Sequence, residues 1–253
     1  MGVATHMSRT IVVIPTYNEA ATLELLVTSL RAHAADADIL IVDDASPDGT
    51  GEIAEQLAQD PAIHVLHRPG KEGLGVAYCA GFAWGLARPE YDWFVEMDAD
   101  GSHRPAELRR LRNAAYAADL VIGSRWVRGG RVLDWPWTRR LISKTGTAYA
   151  RMMLGLPVRD ATAGYRVLSR PALEAAALET VSSHGYCFQI DMTRRIRDAG
   201  LPIVEVPVTF VERQHGASKM TTGIVVEALW RVTVWGLERR FRRSSSQGLR
   251  RRA

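Results

Sequence analysis

The sequence predicts an α/β fold in which a mostly parallel central sheet is flanked by helices. Short continuous apolar runs recur, as at Ile11-Val12-Val13-Ile14 and Ile39-Leu40-Ile41-Val42, the pattern of strands buried on both faces. Helical stretches separate them at the pace of a doubly wound sheet. Four strand ends are polar: Pro15-Thr16-Tyr17-Asn18-Glu19, Asp43-Asp44, Asp98-Ala99-Asp100 and Ser124-Arg125. Ligands of such sheets bind beyond the carboxyl ends of the strands, so one site built from four loops accounts for all of them.

In order, the first run breaks at Pro15, and a helical pattern follows through Leu23, Leu25, Leu26, Val27 and Leu30. After the second run, Ser46-Pro47-Asp48-Gly49-Thr50 is turn chemistry, with Pro47 suited to open the next helix. Ile63 to Leu66 is a third strand, and Gly73 to Leu86 a helix with small residues along one side. Trp93 to Met97 is the central strand and Leu120 to Gly123 the fifth. Trp135-Pro136-Trp137 precedes a helix over Thr138 to Leu154, where Arg139 and Ser143 lie four apart on one face. Arg159 to Leu168 and Ile203 to Val211 are further strands, with a helix over Phe188 to Ala199 between them. The last helix, Thr222 to Phe241, is apolar over most of its surface and carries Trp230 and Trp235. Two readings stand for it: a membrane-interface helix, or a helix packed on the protein's own core or on a partner.

Composition limits the function classes. A chain of 253 residues, 47% hydrophobic and 24% charged, forms a globular domain with a large core. Cys79 and Cys187 have no zinc-type spacing, which predicts free thiols in a reducing cytoplasm. Seven arginines follow Glu238 with no acid among them; 32 Lys+Arg less these seven leaves 25 against 28 Asp+Glu. The basic character therefore belongs to a tail suited to anionic lipid, and no nucleic-acid partner is expected. Met1 to Arg9 lacks the apolar core of a signal peptide, and no run of about 20 apolar residues predicts a membrane span. With no G-x-G-x-x-G after the first strand and no P-loop motif, neither of those nucleotide sites is expected.

The chain is organised around Glu96-Met97-Asp98-Ala99-Asp100, which the apolar Trp93-Phe94-Val95 delivers. Carboxylates two residues apart repel unless a cation lies between them. Hard Mg²⁺ or Mn²⁺ takes one or two carboxylates together with substrate phosphates. A lone Asp-x-Asp is more often a solvated turn; the three other polar strand ends make this one a candidate metal and phosphate site.

Together the motifs resemble the family 2 glycosyltransferases with the GT-A fold, and among these the dolichol- or polyprenol-phosphate mannose synthases. The matching pieces are Pro15 to Glu19, Val42 to Thr50, Met97 to Asp100, Gly123 to Arg125, Arg139 with Ser143, Asp160 to Arg166, and Arg213 to Lys219. They follow the family's order over roughly residues 10 to 220. Residue pattern and resemblance together divide the chain into a flexible stretch over 1–9, a GT-A domain over 10–220, an amphipathic membrane-interface helix over 221–241 and a basic, disordered tail over 242–253. The resemblance implies that Pro15, Tyr17, Glu19, Val42 and Asp44 hold the base and ribose of GDP. Asp98, Ala99 and Asp100 would carry a Mg²⁺ or Mn²⁺ ion and the diphosphate. Arg125, Arg213 and Lys219 would bind the donor, with Arg125 counted among the catalytic groups, and Arg139 with Ser143 the acceptor phosphate. Where the family often has Gln two residues after the second Asp, this chain has Ser102, which leaves the third metal position to water, Ser102 or His103.

The implied reaction moves mannose from GDP-mannose to a polyprenyl monophosphate with inversion, peripherally on the inner face of the cell membrane, with scope for a separate integral-membrane partner. The alternative is a related enzyme using UDP-glucose or another sugar nucleotide, or a hydroxyl acceptor. A hydroxyl needs a carboxylate base, for which Asp160 and Asp191 are the candidates. Arg139 and Arg166 read equally as surface charges when taken without the resemblance.

Overall fold

The computed structural model describes residues 8–181, 186–212 and 227–240. Seven strands among them form one sheet: β1 (Arg9–Thr16), β2 (Ala37–Asp43), β3 (Ile63–His67), β4 (Tyr91–Glu96), β5 (Leu120–Ser124), β7 (Arg166–Ser169) and β8 (Ile203–Pro207), in the order β3-β2-β1-β4-β7-β5-β8. All pairings are parallel except those of β7, which runs antiparallel between β4 and β5. The short β6 (Arg131–Val132) pairs with β9 (Thr209–Phe210) beside this sheet.

The continuous apolar runs are explained by cover on both faces. Ile11 and Val13 of β1 join Leu40 and Val42 of β2 on one face, under α3 (Leu74–Leu86). Val12 and Ile14 join Ile39 and Ile41 on the other, under α1 (Leu23–His33), α2 (Thr50–Leu57) and α4 (Leu108–Ala115). Each such side chain contributes about 1.5–3 kcal/mol by leaving water. The small residues of α3 let it approach the sheet closely: a Cβ on Gly81 would lie 2.4 Å from Val13, and one on Gly85 2.6 Å from Phe94.

Helices α5 (Trp137–Leu154), α6 (Arg170–Ala176), α7 (Tyr186–Asp198) and a helix α8 over 227–240 complete the side that α3 covers. Val232 of α8 is buried in that core, Tyr149 and Thr233 hydroxyls meet at 2.6 Å, and a Cβ on Gly236 would touch Met153 at 2.9 Å. Part of the last helix therefore packs on its own protein. Its opposite side is open, with Trp230 69% exposed.

Three expectations are corrected. Pro47 does not open α2, which starts at Thr50 behind Gly49, in the left-handed region at φ 89°. Of the strand expected over Arg159 to Leu168, only the part from Arg166 onward is extended, and 159–165 is a loop. The strand expected over Ile203 to Val211 divides at Val208 into β8 and β9, which pair with different partners. The antiparallel β7 matters most, because its leading loop arrives at the same sheet edge as the ends of β1, β2, β4 and β5.

Candidate active site

The first two strand ends are knitted together. Asp44 N–H donates to Thr16 O at 3.1 Å, Asn18 N–H to Ser46 Oγ at 3.1 Å, Glu19 N–H to Thr50 Oγ1 at 2.9 Å and Ala20 N–H to Asp48 Oδ2 at 3.1 Å. Asn18 and Ala45 both take left-handed backbone, φ 59° and 54°, an uncommon conformation held by the surrounding bonds. Asp43 turns inward and accepts from Thr16 Oγ1 and Ser46 Oγ. Asp44 accepts from Arg68 Nη1 at 2.5 Å, and Arg68 also reaches Glu72. Burial pushes the Asp44 carboxyl up, against the pull of Arg68. Lys71 Nζ lies 3.9 Å from the ring centroid of Tyr17. Pro15, Tyr17, Glu19 and Asp44 therefore stand on adjacent strand ends, while the side chain of Val42 lies in the core beneath α3. Arg68 escaped the sequence reading although it directly follows β3, one more polar group after an apolar run.

Asp98, Ala99 and Asp100 lie in the turn after β4. Tyr78, wholly buried on α3, donates its hydroxyl to Asp98 Oδ1 at 2.9 Å. Burial and the neighbouring carboxylates push that phenol well up, so it stays a donor. Asp98 N–H donates to His103 Nδ1 at 3.1 Å, and Ser102 N–H to Asp100 Oδ1 at 3.0 Å. The His103 ring is 4% exposed and stacks on Tyr165 at 5.0 Å. A ring accepting at Nδ1 carries its proton on Nε2 when neutral, which makes His103 a brace of the turn. Ser102 Oγ is buried with no partner. Two carboxylates beside an unpartnered buried hydroxyl fit a hard cation that completes its shell with water and phosphate oxygens. Among the described residues no third His, Cys, Asp or Glu joins them.

Beneath this turn, Glu96 is wholly buried on β4 opposite Arg166 of β7, the two side chains 4.0 Å apart. Burial pushes the Glu96 carboxyl up to about 7. Arg166 is also fully buried, so its reading as a surface charge is wrong. It donates to the carbonyls of Ala161, Ala163 and Gln189 and so fixes the loop ahead of β7.

That loop holds Arg125. Asp160 accepts from Arg125 Nε at 2.8 Å, from Nη2 at 2.6 Å and from its backbone N–H at 2.9 Å, and Thr162 Oγ1 takes Nη2 at 2.9 Å. Arg139 donates through Nη1 to Glu212 and lies 4.1 Å from the ring centroid of Trp135. Arg125, Arg139, Ser143 and Thr162 form the polar end of a cavity of about 440 Å³ between α5, α7 and α8. Its remaining walls include Ile142, Tyr149, Ile190, Leu229 and Val232. The structure thus brings Arg125, expected on the donor, together with Arg139 and Ser143, expected on the acceptor, around one cavity. Arg213 and Lys219 lie outside the described residues. Trp135, Tyr78 and Glu212 carried no sequence signal of their own. Both candidate bases are committed elsewhere: Asp160 to Arg125, and Asp191 to Arg194 and Arg195.

Residues 11–176 match the family described as Glycosyl transferase family 2. The chain is 54% identical to the undecaprenyl-phosphate mannosyltransferase of Micrococcus luteus, over 96% of this chain and 98% of that one. It is 52% identical to the polyprenol monophosphomannose synthase of Mycolicibacterium smegmatis, over 93% and 90%. The dolichol-phosphate mannosyltransferase of Pyrococcus furiosus is 34% identical over 88% of this chain, which spans 63% of that longer protein. The fold is shared with glucosyl-3-phosphoglycerate synthase from Mycobacterium tuberculosis, solved with Mn²⁺ and UDP-glucose: TM-score 0.64, 21% identity, 92% of this chain and 79% of that one.

Proposed function

The chain belongs to glycosyl transferase family 2, and we propose that it transfers mannose from GDP-mannose to a polyprenyl monophosphate, with inversion. The observation that carries this reading is the cavity whose head is Arg125, Arg139, Ser143 and Thr162 and whose body is apolar. A phosphate joined to a hydrocarbon matches both parts. The names of the relatives from Micrococcus luteus and Mycolicibacterium smegmatis support the same acceptor and sugar.

The acceptor phosphate is already an anion, so no base has to deprotonate it. That suits a site whose two candidate bases are bound in ion pairs, and it disfavours a hydroxyl acceptor. The difficulty is charge: two unit charges about 4 Å apart cost about 4 kcal/mol at an effective dielectric of 20. Arg125, clamped by Asp160, and Arg139, stacked on Trp135, bring fixed positive charge to the meeting of the two phosphates. Asp98 and Asp100 would hold a divalent cation, Mg²⁺ or Mn²⁺, with Tyr78 and His103 keeping the turn in place. When bound, that ion supplies charge neutralisation for the diphosphate that leaves. Tyr17, Glu19 and Asp44, with Arg68 beside them, would take the nucleoside; Arg213 and Lys219 remain donor-phosphate candidates on the family's pattern.

The acceptor's tail points to a membrane surface. Among the described residues no helix is long and apolar enough to cross a membrane. Trp137, Leu141, Ile142 and Met152 of α5 and Leu229, Trp230 and Leu237 of α8 are nonetheless exposed, with Arg140, Lys144, Arg151 and Arg240 also exposed along the two helices. Aromatic and apolar groups with cations alongside suit an anionic lipid interface. The enzyme would therefore work peripherally, on the inner face of the cell membrane.

The test is incubation of the protein with Mg²⁺, a short polyprenyl phosphate and labelled GDP-mannose or UDP-glucose. Organic-phase product from GDP-mannose is the expected result. Product only from UDP-glucose would replace the donor, and transfer only to a soluble sugar hydroxyl would replace the acceptor.

A further inference from the structure

Two arginines share one indole. Trp135 is 7% exposed, and the guanidinium carbons of Arg125 and Arg139 lie 5.2 Å and 4.1 Å from its ring centroid. Each cation has its own carboxylate, and the two pairings differ in kind. Asp160 is wholly buried and takes two side-chain donors and the backbone N–H of Arg125. It is held in turn by Glu205, which accepts the backbone N–H groups of Arg159 and Asp160. That pair has no slack.

Glu212 is different. Its side chain is 26% exposed, it lies just past β9, and it meets Arg139 through Nη1 alone. The other side of Arg139 faces inward: its Nε is buried with no partner, as is Oγ of Ser143 one helical turn along α5. An arginine that is mostly out of water needs a counter-ion while its ligand is absent. A phosphate matches its planar fork through two oxygens, and a carboxylate left beside an arriving phosphate repels it.

We propose that Glu212 is the resting counter-ion of Arg139 and is displaced by the acceptor's phosphate on binding, while Trp135 holds the guanidinium in place through the exchange. The fixed pair, Arg125 with Asp160, stays intact. Glu212 thus sets how tightly the head group is held, acting through Arg139 as a positioning residue. This inference rests on the reading of the cavity as the acceptor site, and the experiment separates the two.

Binding of a short prenyl monophosphate and of the matching prenyl alcohol is measured on the full chain, wild type and Glu212→Gln, at low and high salt. Glu212→Gln is expected to bind the phosphate about threefold tighter or more at low salt, with the gain shrinking at high salt and the alcohol bound equally by both. A purely structural role predicts no gain that is confined to the phosphate and absent for the alcohol. Glu212→Ala, which keeps no acceptor atom, is expected to change affinity in the same direction and serves if the first variant unfolds early. Unchanged or weaker phosphate binding in a variant that melts like wild type overturns the exchange. If wild type binds the phosphate no better than the alcohol, the acceptor reading itself falls, and the proposal with it.

Discussion

Glu96 is the residue whose chemistry departs most from its sequence appearance. It reads as part of an acidic run, yet it lies wholly inside the sheet, with Arg166 4.0 Å away and its carboxyl pushed up to about 7 by burial. In the unfolded chain it titrates near 4.5. The folded protein therefore holds this proton more tightly, and its contribution to stability is fully present below the unfolded value and is lost as pH rises to about 7 and beyond. Glu96→Gln, neutral at every pH, removes that dependence. Urea midpoints at pH 5, 6, 7 and 8 check this: relative to the variant, wild type is expected to lose stability across the range. Parallel curves would show that Glu96 does not titrate in the folded state. At this scale the sequence told strand-end residues apart from core residues well, because a polar group after an apolar run has few places to go. It did not show Tyr78, an aromatic in an apolar helix whose hydroxyl reaches Asp98 at 2.9 Å. Nor did it show that Arg166 is internal, since an arginine's burial depends on carbonyls supplied by a loop and a distant helix.

At the scale of elements, the alternating pattern was legible because each strand run and each helix carries its own periodicity. The parallel direction of β1, β2 and β4 follows from it, and the structure supplies their pairing. The antiparallel β7 was not legible, because four residues between β4 and β5 are placed by pairing on both sides and not by any local preference. That strand delivers Asp160 to Arg125, so a topological detail decides where the cation of the site points. Helices α5 and α8 pose the converse case: apolar residues face both the core and the outside. Val232 is 2% exposed whereas Trp137 and Trp230 are 73% and 69% exposed. We expect the double variant Trp137→Ser, Trp230→Ser to bind anionic vesicles at least tenfold more weakly, since each aromatic lost from an apolar interface removes about 1.5–3 kcal/mol. Vesicle sedimentation measures it, and undiminished binding would mean that this face does not meet lipid.

Across the whole molecule, the carboxyl ends of the parallel strands collect the described residues that the proposed reaction would use. The ends of β1 and β2 offer Tyr17, Glu19 and Asp44, the end of β4 offers Asp98 and Asp100, and the end of β5 offers Arg125, stacked through Trp135 beside the cavity of α5, α7 and α8. On the proposed reading, Arg125 and Arg139 line the acceptor cavity while Asp98 and Asp100, in the turn after β4, would hold the cation at the donor's diphosphate. The most direct measurement is transfer from GDP-mannose to a short polyprenyl phosphate as Mg²⁺ is varied, for wild type and Asp100→Ala, with circular dichroism to show that both are folded. We expect wild-type transfer to rise with Mg²⁺ to a plateau, and the folded variant to lose at least a hundredfold in rate, the scale of one strong electrostatic contact to developing charge. Wild-type transfer that ignores Mg²⁺ and its removal by chelator, or a folded variant that turns over like wild type, would contradict the account.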